Sequence, residues 1–367
     1  MNIGYFYTPY YPVTASCSVH GYCLMQALKK RGHRILSCLG DGNPDCINFN
    51  RTKAGAIKLA LAADVLYIRA SALSPMRNAT LLKLIRPSSL PVVWEVNAPV
   101  EELTATLPAD TRVDRIIKKE KRKLKWLAKL VDAGIGVSEI LKQYMSEQLG
   151  INKVYSIPNG SLPETFLPHS IKKTVLEHVS EKFKILWVGN AKIVWQGLDL
   201  IIETAKNLEK SDPDMLFVII TGESAHRFPV LKNLLVLQQV PFTDLQHYLA
   251  AADVCLCPYK NQAMGFYGSS LKCFDYMAAG KPIITTALGQ LERIISHGIN
   301  GIFTDNTVEA LATNLRMLKA NPELRGKLGA NARKSALDYY NWDRVALETE
   351  SVLIDAIKTK GHHHFPH

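Results

Sequence analysis

The segment from Gly265 to Thr286, GFYGSSLKCFDYMAAGKPIITT, confines the fold more tightly than any other part of the chain. It opens as a loop of small residues, Gly265, Gly268, Ser269 and Ser270, then places Leu271, Phe274 and Met277 on one helical face. Gly280 stops that helix, and Lys281-Pro282 leads into the β-branched run Ile283, Ile284, Thr285, Thr286. Loop, short helix, glycine stop and buried strand form half of a parallel α/β unit. Where such a loop enters its helix, free backbone N–H groups carry partial positive charge and suit a phosphate. Lys272 adds a cation in the first turn, and Asp275, one turn on, is placed to accept sugar hydroxyls. These residues fit a nucleotide diphosphate held by its phosphates and ribose. The plainer alternative leaves Lys272 and Asp275 solvated on an ordinary helix.

The same alternation runs through the chain. Strands are predicted at 3–7, 34–39, 65–68, 92–96, 134–137 and 154–157, with helices over about 21–31 and from Glu139. A second series follows at 185–188, 216–221, 234–237, 254–257 and 283–285, with a helix from about Leu198. Pro158-Asn159-Gly160, Pro163 and Pro168 lie between the two series and suit a linker. At 367 residues there is room for two cores. The prediction is therefore an α/β chain of two Rossmann-like domains with parallel sheets, 1–160 and 161–341. A closing helix over about 342–360 is expected to return to the first.

Hydrophobic residues at 47% and charged residues at 21% exclude wide disorder. Seven cysteines, an odd number scattered through apolar runs, point to free thiols in a reducing, cytoplasmic compartment and lack zinc-site spacing. No basic leader opens the chain and no run of about 18 apolar residues occurs, so no membrane span is expected. The tail GHHHFPH is set aside as a frayed terminus. The 44 Lys+Arg against 33 Asp+Glu give +11, which implies an anionic partner. Much of the excess sits in RVDRIIKKEKRKLKWLAK at 112–129, where Lys118, Lys119, Lys121, Arg122 and Lys123 cluster. An amphipathic basic helix docking on anionic lipid is expected there; the competing reading packs its apolar stripe on the sheet. Nucleic acid is disfavoured because Trp126 is the one aromatic beside the basic run. A dinucleotide-dependent dehydrogenase is disfavoured because no G-x-G-x-x-G follows the first strand.

In their order, several phrases resemble the family 4 glycosyltransferases of GT-B fold. These are FYTPYYP, VVWEVNAP, GVSEILKQYM, SIPNGSLPETFLP, ILWVGNAKIVWQGLDLIIETA, VPFTDLQHYLAAADVCLCPY and DYYNWDRVALE, and together they cover nearly the whole chain. In that family the segment at Gly265 carries two glutamates, the second of which holds the ribose. Asp275 stands at the second position and Tyr267 at the first. The family's Gly-Arg and Lys-Gly, which place two cations on the diphosphate, are here Gly189-Asn190 and Gln196-Gly197. The spacing is kept and both charges are gone, leaving Lys272 and Lys192 as replacements; Lys192 reads equally well as a solvated loop residue. Asn97 stands where many relatives carry a histidine near the reacting sugar carbon, and Thr14-Ala15-Ser16 fill the loop where relatives place glycines. By strand position Arg69 and Glu95 flank an acceptor edge, although an ion pair is the commoner fate of such an arginine. Trp195 is read as a loop anchor.

The resemblance thus implies catalytic roles for Asn97 and Lys272, and a donor site of Ser16, Gly189, Asn190, Lys192, Gln196, Gly268, Ser269, Ser270, Leu271 and Asp275. It implies a retaining transferase of hexosyl type that uses a nucleotide sugar, UDP-linked in preference to GDP-linked, without a metal. The acceptor would be a lipid-linked or cell-envelope glycan at the cytoplasmic membrane face. A non-catalytic GT-B partner protein is the rival, favoured by the missing charges. A nucleotide-sugar epimerase lacks a convincing acid/base pair.

Overall fold

The computed structural model describes residues 1–7, 16–106, 111–169, 175–238, 240–261 and 265–361. Strands β1 (Asn2–Phe6), β2 (Arg34–Ser37), β3 (Ile47–Asn48), β4 (Val65–Arg69), β5 (Val92–Val96), β6 (Ala133–Gly136) and β7 (Val154–Ser156) form one sheet. Its order is β3-β2-β1-β4-β5-β6-β7, and every pair is parallel. Strands β8 (Phe183–Val188), β9 (Met215–Thr221), β10 (Leu234–Gln238), β11 (Val254–Cys257), β12 (Ile283–Thr285) and β13 (Ile302–Phe303) form the other, in the order β10-β9-β8-β11-β12-β13. It too is wholly parallel. Helices in chain order are α1 (Ser16–Lys30), α2 (Lys53–Ala62), α3 (Leu103–Thr106), α4 (Thr111–Ala128), α5 (Glu139–Gln143), α6 (Leu198–Leu208), α7 (Phe242–Ala251), α8 (Leu271–Ala278), α9 (Leu291–Ile294), α10 (Val308–Ala320), α11 (Pro322–Asp338) and α12 (Trp342–Gly361).

The chain divides into two compact units. Unit 1 holds Met1–Asn159, Tyr267–Ser269 and the segment from Trp342 onward; unit 2 holds Gly160–Phe266 and Ser270–Asn341. In each, strands such as MLFVIIT of β9 are continuous apolar runs because helices cover both faces. In unit 2, Leu186, Val218, Phe274 and Met277 bury on one side of the sheet, and Trp187, Phe217, Ile201 and Leu315 on the other. Each sheet reverses its strand order once, between β1 and β4 and between β8 and β11. In doubly wound folds, ligands bind outside the carboxyl ends of the strands at that reversal.

Helix α12 completes unit 1. His33 Nε2 lies 2.8 Å from Glu350 Oε1, Arg31 donates to the same carboxylate, and Lys153 donates to Asp355 at 2.9 Å. The Trp342 ring sits 5.1 Å from His20. Helix α1 begins at Ser16, upstream of the expected start at Gly21. Gly280 adopts φ 65°, as a helix-stopping glycine must.

Candidate functional site

In unit 2, β8 ends at Val188 and the chain turns through Gly189 to Gly197. The Asn190 side chain accepts from the Lys192 N–H at 3.0 Å, closing an Asx turn, and a short 3-10 turn spans Val194–Gln196. Gly197 adopts φ 72°, and a Cβ there would strike the Pro258 carbonyl, so glycine is required. This turn carries the Gln196 side chain back to the end of β8. From the opposite side, α8 begins with Ser270, whose hydroxyl accepts from the Cys273 N–H and lies 2.7 Å from the Tyr259 hydroxyl. Lys272 in its first turn donates to Gln196 Oε1 at 2.7 Å. A Cβ on Gly189 would overlap Gln196 Oε1 and stand 2.7 Å from Lys272 Nζ. Gly189, Gln196 and Lys272 therefore converge at the sheet reversal of unit 2.

The ammonium also lies 4.4 Å from the Trp187 ring centroid and 5.4 Å from that of Tyr259. Among the described residues no carboxylate pairs with it, and burial lowers the Lys272 pKa to about 8. On the same helix Asp275 Oδ1 accepts from the Ser161 hydroxyl at 2.6 Å. Burial raises its carboxyl to about 7, against the lowering effect of that bond. Leu271 is half-buried where α8 starts. Trp195 packs 5.7 Å from Tyr259 and 6.1 Å from Phe266, the geometry of an anchor.

Lys192 stands apart from this cluster. It is 66% exposed and its Nζ lies 2.9 Å from Glu223 Oε1, so the solvated-loop alternative describes it better than a phosphate cation. Gly268 and Ser269 belong to unit 1, where Asn159 donates to Ser269 through both its backbone N–H (2.9 Å) and its side-chain amide (2.8 Å). Tyr267 is buried in the core of unit 1; its carbonyl accepts from Ser138 at 2.7 Å, and burial together with the nearby Glu102 raises its phenol. Ser16 is the first residue of α1 in unit 1, and Thr14 and Ala15 lie outside the described residues, as do the last six of the tail.

Glu95 differs from its expected place on an open acceptor edge. It is buried at the end of β5 with both oxygens committed: Oε1 accepts from Tyr7 at 3.3 Å and from Asn97, while Oε2 accepts from Tyr67 and lies 3.2 Å from His20 Nε2. Burial alone would raise this carboxyl; His20, Arg69 and Tyr67 outweigh it and hold it at about 2. The Asn97 amide is thereby drawn onto Glu95. Arg69 stands over the Tyr7 ring at 4.6 Å. Tyr7, His20 and Tyr67 were not singled out by the sequence, because alternating tyrosines in a strand look like core filling.

The apolar stripe of the basic helix follows the competing reading. Leu124 and Leu127 of α4 are buried, and Ile116 and Ile117 pack against the unit 1 core, so the apolar stripe faces the sheet. Trp126 of the same helix projects, at 57% exposure. Lys118, Lys119 and Arg122 are exposed, Lys123 is half-buried, and Lys121 pairs with Glu101. Among the described residues no helix is long and apolar enough to cross a membrane, and no group of three or more acidic, histidine or cysteine side chains is arranged to hold a metal. Among the described residues six cysteines are free thiols.

Residues 182–321, all within unit 2, match the glycosyl transferases group 1 family. The chain is 24% identical over 231 residues to the D-inositol 3-phosphate glycosyltransferase of Xylanimonas cellulosilytica, covering 57% of this chain and 53% of that protein. It is 26% identical over 187 residues to the N-acetyl-alpha-D-glucosaminyl L-malate synthase of Bacillus anthracis, 49% and 48% of the two chains. The chain thus spans about half the length of the curated relatives it matches. Among solved structures, the sucrose-phosphate synthase of Thermosynechococcus elongatus superposes with TM-score 0.76 over 98% of this chain and 100% of that one, at 15% identity. The HepE protein of Anabaena, solved with UDP and glucose, gives 0.70 over 96% and 99%, at 13% identity. The fold is GT-B.

Proposed function

We propose that this chain, a GT-B protein of the family 4 glycosyltransferase type, is a retaining hexosyltransferase that takes its sugar from a UDP-sugar. One observation carries the reading. A half-buried ammonium, Lys272, faces an amide oxygen and two aromatic rings with no carboxylate partner, at a sheet reversal where Gly189 leaves room for a ligand. A cation desolvated without an anion is unfavourable alone, and a diphosphate supplies the missing charge. In this reading the diphosphate lies against Gly189, Gln196, Lys272 and the α8 entrance at Ser270, with the ribose on Asp275. Asn190 shapes the turn beneath it.

The bond between the anomeric carbon and the leaving phosphate oxygen breaks as charge builds on that oxygen. Lys272 stabilises the charge, and the acceptor hydroxyl attacks from the same face, passing its proton to the departing phosphate. No protein base is required, which fits an Asn97 already tied to Glu95. Metal is not part of this scheme. We assign the acceptor to unit 1, where Arg69 at the end of β4 is the residue to meet an anionic or phosphorylated acceptor.

A lipid-linked acceptor at an anionic, cytoplasmic membrane face is the class we favour. Its support is the exposed cation row of α4 and a neighbouring apolar surface. Ile57 and Leu61 on α2, and Leu81 and Leu84 on the 3-10 segment Pro75–Ile85, are exposed, and Asp64 is the one acidic residue between Arg51 and Trp94.

The test is a screen of the purified chain with UDP-, GDP- and ADP-sugars for hydrolysis, and with the free diphosphates for thermal stabilisation. UDP should stabilise most and its sugars should be hydrolysed slowly. A chain that none of the diphosphates stabilises is not a transferase of this kind.

A further inference from the structure

A second cleft of unit 2, about 700 Å³ in volume, opens at the carboxyl ends of β12 and β13. It is separate from the cradle around Lys272: none of Gly189, Gln196, Lys272 or Asp275 lines it. Its walls are Thr286 after β12, Phe303 at the end of β13, Asp305 and Asn306 just beyond, and Glu309 and Asn314 from the first two turns of α10.

Three of the side-chain donors on these walls are committed to the backbone. The Thr286 hydroxyl donates to the Tyr259 carbonyl at 2.8 Å, and the Asn306 amide donates to the same oxygen at 3.1 Å. The Asn314 amide donates to the Phe303 carbonyl at 3.4 Å. With those donors turned onto the backbone, the amide oxygens are left to accept, beside the hydroxyls of Thr304, Thr307 and Thr313. Asp305 and Glu309 add carboxylates that enter no ion pair among the described residues, and no Lys, Arg or His lines the cleft. Phe303 supplies an aromatic face, fixed from behind by His297 at 5.8 Å.

A ligand matched to these walls offers several O–H donors, carries no negative charge and has a C–H face to lay on a ring. We infer that this cleft is a second, saccharide-binding site of unit 2, built for an uncharged pyranose and distinct from the nucleotide-sugar cradle. Vicinal hydroxyls bridge Asp305 and Glu309 to the amide oxygens of Asn306 and Asn314, and the sugar's apolar face lies on Phe303. A sugar phosphate or uronate is rejected by the two carboxylates. Because Thr286 and Asn306 both end on the Tyr259 carbonyl, and the Tyr259 hydroxyl meets the cap residue Ser270, the cleft wall is continuous with the start of α8.

Saturation-transfer NMR on the whole chain, with UDP saturating the other site, tests this with D-glucose, D-galactose, D-mannose, N-acetyl-D-glucosamine and D-glucuronate. At least one neutral sugar should receive transfer, with glucuronate receiving less than half as much. In Asp305→Asn and Asn314→Ala that transfer should fall by more than half while thermal stabilisation by UDP stays the same. Absence of transfer to every neutral sugar overturns the site, as does transfer that survives both substitutions. A calcium titration supplies the remaining arm. Stabilisation by calcium that Asp305→Asn abolishes, with no sugar transfer, makes the cleft a cation site and also overturns the proposal.

Discussion

The Lys272 ammonium donates to the Gln196 amide oxygen at 2.7 Å, across a gap that Gly189 keeps open. An amide oxygen is a neutral stand-in for a phosphate oxygen. It holds the cation in position without quenching its charge, and it can yield to a stronger anion.

Replacing Lys272 with Met keeps the bulk and removes that charge. UDP affinity should drop about 10- to 100-fold, the loss of one charge-assisted bond worth about 1.5–3 kcal/mol. Uridine affinity should hardly change. Calorimetry with both ligands decides it, and equal losses would place the phosphates elsewhere.

Gly189→Ala probes the same gap from the backbone. Its methyl group would press on the Gln196 and Lys272 side chains, whose flexible ends can move, and on the Trp187 ring, which cannot. The variant should fold with a melting temperature lower by a few degrees, about 1 kcal/mol in a domain of this size. UDP binding should weaken about tenfold or more. Unimpaired binding would contradict a ligand in that gap.

The acidity of the two titrating groups predicts a narrow pH optimum for UDP binding. In the proposed site the phosphates would need Lys272 protonated, and its pKa is about 8; the ribose hydroxyls would need Asp275 ionised, and its pKa is about 7. Affinity should climb as pH passes 7 and decline as it passes 8. Lys272→Arg should remove the falling limb, since arginine stays charged. Asp275→Asn should remove the rising one. A flat profile in the unaltered protein would deny both roles.

Glu95 gives a stability prediction of known sign. Its folded pKa of about 2 lies below the ordinary 4.5, so its contribution is complete above about pH 4.5 and is lost as pH falls toward 2. Glu95→Gln leaves His20 and the two tyrosine hydroxyls without their anion. It should destabilise unit 1 by about 3 kcal/mol at pH 7, the scale of a broken buried pair. The variant should also lose part of the acid dependence between pH 4.5 and 2. Parallel denaturant titrations across that range measure both effects, and a variant as stable as the parent would reduce the cluster to packing.

For the membrane, the cation row of α4 should bind phosphatidylglycerol vesicles in a salt-sensitive way. Lys118, Lys119, Lys121, Arg122 and Lys123 changed together to Gln should largely abolish co-sedimentation, at roughly 1 kcal/mol per cation near the surface. Identical pelleting of the two proteins would point to an acceptor in solution.

The two parallel sheets were legible because strands covered on both faces read as near-continuous apolar runs, as MLFVIIT of β9 does. Strands β3 and β13, at two residues each, carry no period to read. The cradle was legible in part because Gly189, Gln196 and Lys272 each sit at a strand-to-helix junction, where chain direction fixes the address. Which unit Tyr267–Ser269 would join was not, since Ser138 and Asn159 hold that loop from more than a hundred positions away. The Glu95 cluster was hidden for the same reason: Tyr7 and His20 reach it across 88 and 75 positions. For α4, the heavily charged composition concealed which way Leu124 and Leu127 would turn.

Unit 1 takes its last helix, α12, from beyond unit 2 in the sequence. On the ribosome the opening segment emerges first, yet Arg31, His33 and His20 must wait for Glu350 and Trp342. At 5–20 residues per second, the roughly 200 residues between Asn159 and the end of α12 take roughly 10–40 s to make. Over that interval the outer surface of α1 is bare to chaperones, while unit 2 can assemble from an uninterrupted stretch of chain apart from one three-residue excursion. The half translated first is thus the half that matures last.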